Sequence, residues 1–251
     1  MTDTPSPAAP LRAPGPAARL RVDVWSDVAC PWCYIGKRRF ETALARVPFG
    51  DRVDVAWHSF QLDPGLPEHY DGTELDYLSE RKGMAREQVA GMFEHVSAMA
   101  AGEGLAYDFD AVKVANTWTA HRLLHLAAER GLSGTLKEAL LSGHFEHGLD
   151  LGSRDELLAV ATGAGLAEDD VVRVLDSEAY SDAVSDDVEQ ARRLGISGVP
   201  FFVLDMKYGV SGAQSAEAFE QALTQAWSEL PVLQAAGGSA DGDACGVDGC
   251  D

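Results

Sequence analysis

Two cysteines separated by two residues, Cys30 and Cys33, form the arrangement in this sequence with the clearest chemistry. An alternating run over residues 20–25 precedes them and a helical pattern follows, so we predict that Cys30 lies where a strand ends and a helix begins. The partial positive charge and unpaired N–H groups of a helix N-terminus lower the pKa of a thiol placed there. Cys33 is near enough to close a disulfide with Cys30, or to open one that Cys30 has formed with a substrate. We therefore predict redox chemistry at this pair.

The residues after Cys30 support this interpretation. Pro31 suits the first position of a helix, because it lacks an N–H and its φ is already near the helical value. Lys37, Arg38 and Arg39 follow in the next turns, and we expect them to add positive charge that acts on the thiols at longer range. The alternatives are that the two cysteines bind a metal together with a second pair, or have no role.

The composition argues against some classes of function. The chain has 251 residues, of which 46% are hydrophobic and 24% charged, as is typical of a soluble globular protein with a substantial core. Asp and Glu number 40 against 20 Lys and Arg, so the net charge is −20. Such a charge argues against nucleic acid or an anionic membrane as a partner. No apolar run approaches the roughly 18 residues of a spanning helix.

The N-terminal stretch bears on the compartment. Residues 1–18 are rich in proline and alanine and have neither the basic nor the apolar region of a secretory signal. We expect a disordered leader and a cytoplasmic protein. Because structural disulfides are rare in a reducing compartment, the four cysteines of the chain indicate catalysis, redox sensing or metal binding.

The hydrophobic pattern sets the expected order of elements. Residues 20–25 and 53–62 are predicted strands on either side of a helix that ends near residue 46. Seven helices follow, at residues 74–81, 86–101, 115–130, 135–147, 154–163, 169–175 and 178–194. Thr73 with Asp76 and Ser153 with Glu156 match helix-start boxes, and the second is the better match. Residues 199–204 and 209–211 form a predicted hairpin, and residues 215–230 form the last helix.

This order predicts an α/β protein with a thioredoxin fold and a large inserted all-helical subdomain. The thioredoxin-like domain covers residues 19–64 and 196–230, the insertion covers residues 65–195, and residues 231–251 form a flexible acidic tail. Pro200 is either a simple edge-strand residue or, in this order of elements, the cis-proline of the fold. In the second case the backbone of Val199 can pair with an extended substrate segment.

Three motifs in this order resemble the DsbA-like thiol–disulfide oxidoreductases, most closely the FrnE subgroup. They are SDVACPWCYIG at residues 26–36, AHRL at residues 120–123 and GVPFF at residues 198–202. The resemblance covers residues 20–230. It implies a DsbA-like fold in which Cys30 is the attacking cysteine, Cys33 the resolving cysteine and Pro200 the cis-proline that faces them.

We interpret the protein as an oxidoreductase or isomerase of protein disulfides, with Pro31, Trp32, Val199 and Pro200 at the substrate. The expected partners are protein thiols and disulfides or a low-molecular-weight thiol, with glutathione as a candidate redox co-substrate and no other cofactor. A cytoplasmic redox poise would keep the pair reduced, so reduction or reshuffling of disulfides fits better than net oxidation. We expect a monomer or a homodimer.

Other functions stay open beside this one. Kappa-class glutathione transferases and hydroxychromene-carboxylate isomerases resemble the same fold, but they usually carry serine at the position of Cys30 and lack a resolving cysteine. The shared fold still leaves one enzymatic alternative, a glutathione-using isomerase or transferase or an accessory enzyme of a polyketide pathway. The non-enzymatic alternative is a redox-dependent holdase, which predicts suppression of aggregation without turnover.

The tail carries a second pair of cysteines, Cys245 and Cys250. On a flexible tail they would meet Cys30 at high effective concentration, so a secondary redox pair that exchanges with the first is one interpretation. We favour this interpretation only slightly over two inert thiols, because the neighbouring aspartates disfavour thiolate formation. A zinc site made of all four cysteines is the third alternative.

Histidines at helical spacing are the remaining candidates. His121 and His125, and His144 and His147, could each present two ligands on one helix face. Because no third ligand is apparent, we predict no metal site. His121 belongs to the AHRL motif and is a candidate cleft residue.

Overall fold

The computed structural model describes residues 18–231. Its strands are β1 (Leu20–Ser26), β2 (Val53–Ser59), β3 (Phe201–Leu204) and β4 (Tyr208–Ser211). They form one sheet in the order β2-β1-β3-β4, in which β2 is parallel to β1, and β3 is antiparallel to both β1 and β4. The helices are α1 (Pro31–Arg46), α2 (Glu74–Glu80), α3 (Arg86–Gly102), α4 (Trp118–Glu129), α5 (Ser133–His147), α6 (Arg154–Gly163), α7 (Glu168–Leu175), α8 (Ser181–Arg193) and α9 (Ala216–Ser228).

The order of these elements confirms the predicted fold class, a thioredoxin fold with a helical insertion. All seven predicted helices occur between β2 and β3, although α4 begins at Trp118 instead of residue 115 and α8 at Ser181 instead of residue 178. The α4 boundary has a local cause, because the Asn116 side chain accepts a bond from Trp118 N at 2.8 Å and donates to Leu66 O at 2.7 Å. Asn116 thereby holds the loop in front of the helix.

Two boundary predictions were wrong in detail. The second strand ends at Ser59 instead of residue 62, and the Leu62 N–H instead donates to the Asp27 carboxylate at 2.8 Å. Of the two helix-start boxes, only Thr73 with Asp76 makes both reciprocal bonds, whereas the Ser153 side chain makes its bond alone. The bond between Leu62 and Asp27 holds the chain after β2 over the end of β1.

The central strand β1 is buried on both faces. The alternating sequence predicts an exposed face that includes Asp23, yet Asp23 is only 3% exposed. Helices α1 and α9 cover one face, where Phe40, Phe202 and Phe219 pack with ring centroids 4.5 to 5.5 Å apart. The inserted helices cover the other face, so polar residues of β1 there must find partners inside the protein.

An imidazole between two carboxylates supplies those partners. His58 on β2 bonds Asp23 through Nε2 at 2.8 Å and Asp187 of α8 through Nδ1 at 2.6 Å. Asp187 also accepts from Ser59 N at 2.7 Å and lies 3.1 Å from His125 Nε2. Burial alone would lower the pKa of His58, but the bonds to the two carboxylates raise it to about 9. This network ties the last inserted helix to the sheet.

Candidate active site

The junction of β1 and α1 holds both cysteines. Cys30 is the N-cap of α1 with φ −100° and ψ 112°, and Pro31 takes the first helical position. The Cys33 N–H donates to the Cys30 carbonyl at 3.0 Å. No side-chain bond caps this helix end, so the partial positive charge of the helix N-terminus acts on the Cys30 sulfur.

The two thiols differ in access. Both are free thiols and both are buried, with Cys30 4% and Cys33 1% exposed. Cys30 nevertheless lines a cavity of about 560 Å³, whereas Cys33 does not. The Cys30 sulfur lies 3.6 Å from the carbonyl oxygen of Val199, and the Val199–Pro200 peptide bond is cis. The segment before β3 therefore lies against the thiol, as the order of elements predicted.

Cys30 and Cys33 titrate as a pair. Their hydrogen bond, together with burial, raises the pKa of Cys30 well above its ordinary value. Burial alone would also raise the pKa of Cys33, but the bond from Cys30 and the positive charge of Lys137 outweigh it and lower that pKa. The pair thus loses its first proton easily and its second with difficulty, which leaves one thiolate stabilised by the remaining S–H.

The source of positive charge is not the one that the sequence suggested. The side chains of Lys37, Arg38 and Arg39 are bonded to carboxylates, so their charges are compensated locally. Lys37 and Arg38 both bond Glu41 and Glu138, and the two bonds of Lys37 are 2.6 Å long. Arg39 bonds Glu103 at 2.6 Å. The expectation that these three residues supply charge to the thiols was therefore wrong.

Lys137 of α5 supplies it instead. The side chain is fully buried, and its Nζ has no hydrogen-bond partner among the described residues. Burial lowers its pKa to about 8 against the opposing charges of Cys33, Asp27 and Cys30. The sequence carried a signal, since the buried positions of α5 recur at 136, 137, 140, 141, 144 and 145, and this places Lys137 on the apolar face. The residue type indicates the opposite, because lysine side chains are ordinarily exposed to solvent.

A buried carboxylate lies at the start of the motif. Asp27 accepts from Leu62 N at 2.8 Å and pairs with His121 Nε2 at 3.2 Å. Burial favours the protonated acid, but the bond with His121, the Leu62 N–H and nearby positive charge together outweigh burial and lower the pKa of Asp27, while burial lowers the pKa of His121. Asp27 is therefore an anion that a neutral imidazole supports. His121 itself is 1% exposed and lies behind Asp27, which lines the cavity, instead of lining it directly.

The other sequence candidates are dispersed. His125 bonds Ser59 and Asp187, and His144 lines the cavity with its Nδ1 3.4 Å from Leu149 O. Within residues 18–231 no group of three His, Cys, Asp or Glu side chains has an arrangement that could hold a metal ion. Cys245 and Cys250 lie outside the described residues.

The cavity beside Cys30 is mostly apolar. Pro31, Trp32 and Val199 line it next to the thiol, and the inserted helices α2 and α3 form the far side. Its volume, about 560 Å³, lies within the roughly 300–1,000 Å³ typical of ligand sites. Three of the predicted substrate positions, Pro31, Trp32 and Val199, therefore line the cavity together with Cys30, and the fourth, Pro200, does not.

Pro200 packs against α1 at Gly36, and this contact yields a testable prediction. A Cβ on residue 36 would lie 2.9 Å from Pro200 Cγ, so Gly36→Ala must displace the segment that faces Cys30. We expect overpacking to lower the free energy of unfolding by about 1–3 kcal/mol. Disulfide exchange should slow as well. Urea unfolding and insulin reduction measure the two effects.

Gly91→Ala in α3 is the matched control, because nothing lies within 4 Å of a Cβ there. It should stabilise the protein by about 0.5–1 kcal/mol through helix propensity alone. Equal stability and equal activity of the two variants would contradict the close contact between α1 and Pro200.

None of the helices in the described part of the chain is both long enough and apolar enough to cross a membrane.

A free C-x-x-C pair at a helix N-terminus, facing a cis-proline segment in a thioredoxin fold, defines a thiol–disulfide oxidoreductase site. Comparison with known proteins agrees, since the model of the DSBA-like thioredoxin domain family matches residues 21–224. The chain belongs to this family.

Individual relatives extend the comparison. A probable DsbA oxidoreductase from Streptomyces coelicolor is 46% identical, with a TM-score of 0.83 over 93% of this chain and 99% of that one. The uncharacterized protein YwbO of Bacillus subtilis (strain 168) is 25% identical over 82% of this chain and 96% of that protein. The cytosolic disulfide reductase DsbM from Pseudomonas aeruginosa, solved with GSH, is 18% identical with a TM-score of 0.58, over 82% of this chain and 98% of that one, a likeness of fold alone.

Proposed function

We propose that this protein reduces or isomerises protein disulfides, with Cys30 as the attacking sulfur and Cys33 as the resolving sulfur. The observation that carries the proposal is the difference in access, because Cys30 lines the cavity and Cys33 lies behind it. A substrate disulfide that enters the cavity meets Cys30 and not Cys33. Cys33 can then act only on a sulfur that Cys30 already holds.

The reaction follows from the shared proton of the pair. The proton moves along the S–H···S bond to Cys33, and the Cys30 thiolate attacks one sulfur of the substrate disulfide. That disulfide breaks, and its other sulfur leaves as a thiolate that takes a proton. Cys33 then loses its proton and attacks the Cys30 sulfur, which releases the second substrate thiol. The substrate gains two electrons, and the protein is left with a Cys30–Cys33 disulfide.

The segment before β3 would hold the substrate during these steps. The Val199 carbonyl lies beside the Cys30 sulfur, and an extended peptide could pair with the same backbone once Cys30 is engaged. Pro31 and Trp32 also line the cavity next to the thiol. These three positions, together with Pro200, would orient the scissile disulfide against the Cys30 sulfur.

Two low-molecular-weight thiols per cycle would return the pair to the dithiol form. Glutathione is our candidate for that thiol, and the glutathione-bound reductase of similar fold supports the choice. The cytoplasmic location and the FrnE subgroup stay predictions. The proposed secondary pair of Cys245 and Cys250 also stays a prediction, for which thiol titration of a variant with serine at both positions is the measurement.

Cys33→Ser is the variant that tests this proposal. We expect it to accumulate mixed disulfides between Cys30 and substrate proteins, because the resolving sulfur is gone. Non-reducing gels after incubation with scrambled ribonuclease would show these adducts, and the recovery of ribonuclease activity by the wild type would report isomerisation. Absence of adducts in Cys33→Ser, together with a wild type that only suppresses aggregation, would favour the holdase alternative.

A further inference from the structure

One carboxylate in the cavity beside Cys30 has no partner among the described residues. Glu74 lines the cavity at the start of α2, yet no hydrogen bond or ion pair to its side chain occurs in residues 18–231. It is not needed to cap the helix, because Thr73 and Asp76 make both bonds of the capping box. Glu74 is therefore free for another role.

The surroundings of Glu74 are apolar. The cavity wall includes Leu66, Leu78, Met92, Phe93, Phe109 and Val114. Burial among such groups raises the pKa of Glu74 to about 7. A half-buried carboxyl without a partner costs stability, so its presence in the cavity that Cys30 lines points to a ligand.

The other charged groups of the cavity are already paired. Lys82 lies 2.9 Å from Asp63, which also accepts from Tyr77 at 2.7 Å. Asp27 is held by His121. Of the three carboxyl groups that line the cavity, Glu74 is the one without a hydrogen-bond partner among the described residues.

We propose that this cavity selects disulfides in which the substrate cysteine is followed by a large apolar residue and then by a lysine or arginine. The apolar side chain fills the cavity and the cationic group binds Glu74. The inference rests on the proposed function and deepens it by naming the substrate class. The peptide sequence is thus read by α2 and α3 of the insertion, and the sulfur chemistry stays at α1.

The global charge of the protein requires a control. A net charge of −20 attracts any cationic peptide, whichever residue binds it. Glu87 provides the comparison, because it is exposed, lies in the first turn of α3 and does not line the cavity. At pH 8, above the pKa of Glu74, Glu74→Gln and Glu87→Gln change the net charge by about the same amount, so a difference between the two variants reports a local ion pair.

The experiment measures kcat/KM for the reduction of three symmetric peptide disulfides, built from acetylated and amidated Cys-Phe-Lys, Cys-Phe-Glu and Cys-Gly-Lys. We expect the wild type to prefer Cys-Phe-Lys over each of the other two by about tenfold, as a charge-assisted bond and a buried aromatic side chain each provide. Glu74→Gln should lose most of the preference for lysine over glutamate and keep the preference for phenylalanine over glycine. Glu87→Gln should behave like the wild type.

The outcomes separate the two proposals. Turnover of all three peptides at equal rates by the wild type, or an equal loss of the lysine preference in both variants, overturns the cavity inference and leaves the proposed function standing. Turnover of none of the peptides overturns the proposed function. In that case, calorimetric binding of the serine analogue Ser-Phe-Lys still decides the inference, because tighter binding than Ser-Phe-Glu by wild type but not by Glu74→Gln supports it, and equal binding overturns it.

Discussion

Replacement of Cys30 by serine is expected to reduce disulfide exchange to the rate measured without enzyme. Cys30 is the sulfur that lines the cavity, and Cys33 is 1% exposed behind it, so no second thiol among the described residues can take its place. A serine hydroxyl does not ionise near neutral pH and does not form a disulfide. The fold should be unaffected, because oxygen replaces sulfur at an N-cap position, where serine is a favoured residue.

Insulin reduction with glutathione as the reductant measures this effect. Cys33→Ser is the matched control, since it removes one sulfur but keeps the attacking one, and it should still capture substrate as a mixed disulfide. Full insulin reduction by Cys30→Ser would refute the assignment of Cys30 as the attacking sulfur.

Lys137→Met is expected to make the protein more stable and its thiols less reactive. The buried cation lowers the pKa of Cys33, so its removal should raise the pKa at which the pair first ionises. At any pH well below that pKa, a rise of one unit would reduce the thiolate fraction about tenfold. The pair's reduction potential would become more negative, because the reduced form loses part of the stabilisation of its thiolate.

The stability change has the opposite sign. The folded pKa of Lys137 is about 8, below the ordinary lysine value of 10.5, so burial of the charged amine destabilises the fold. This penalty is fully present below pH 8 and disappears as the pH rises through 10.5. Methionine of similar length should therefore raise the free energy of unfolding at pH 7 by up to about 3 kcal/mol, and by less at pH 10.

Thiolate absorbance against pH, the equilibrium with glutathione buffers and urea unfolding measure the three quantities. Lys113→Met changes the net charge equally at an exposed position and should alter none of them by much. A Lys137→Met protein that is more stable but has an unchanged thiol pKa would show that the lysine does not act on the pair.

Local sequence predicted the reactive pair and most of the chain's secondary structure. Cys30 lies at the strand-to-helix junction because the alternating run, Pro31 and the helical pattern are short-range signals. The inserted helices appeared for the same reason. Their ends were less certain, because a single side chain such as Asn116 decides where α4 begins by bonding across 50 residues.

Partners across the fold could not be read in this way. The sequence showed three cations after the motif, but Glu138 neutralises Lys37 and Arg38 from about 100 residues away. The sequence also showed alternation in β1, which predicts one face exposed to solvent. Helix α8 covers that face and brings Asp187 to His58, 129 residues away in the chain.

The sequence by itself therefore determined the reactive sulfurs and the order of elements, because a helix N-terminus and hydrophobic periodicity depend on neighbours along the chain. Only the tertiary structure decided which charges the thiols experience. Whether a charge is compensated depends on which distant groups burial brings against it. Lys37 is neutralised, Lys137 is isolated beside Cys33, and Glu74 is left unpaired in the cavity for the same physical reason.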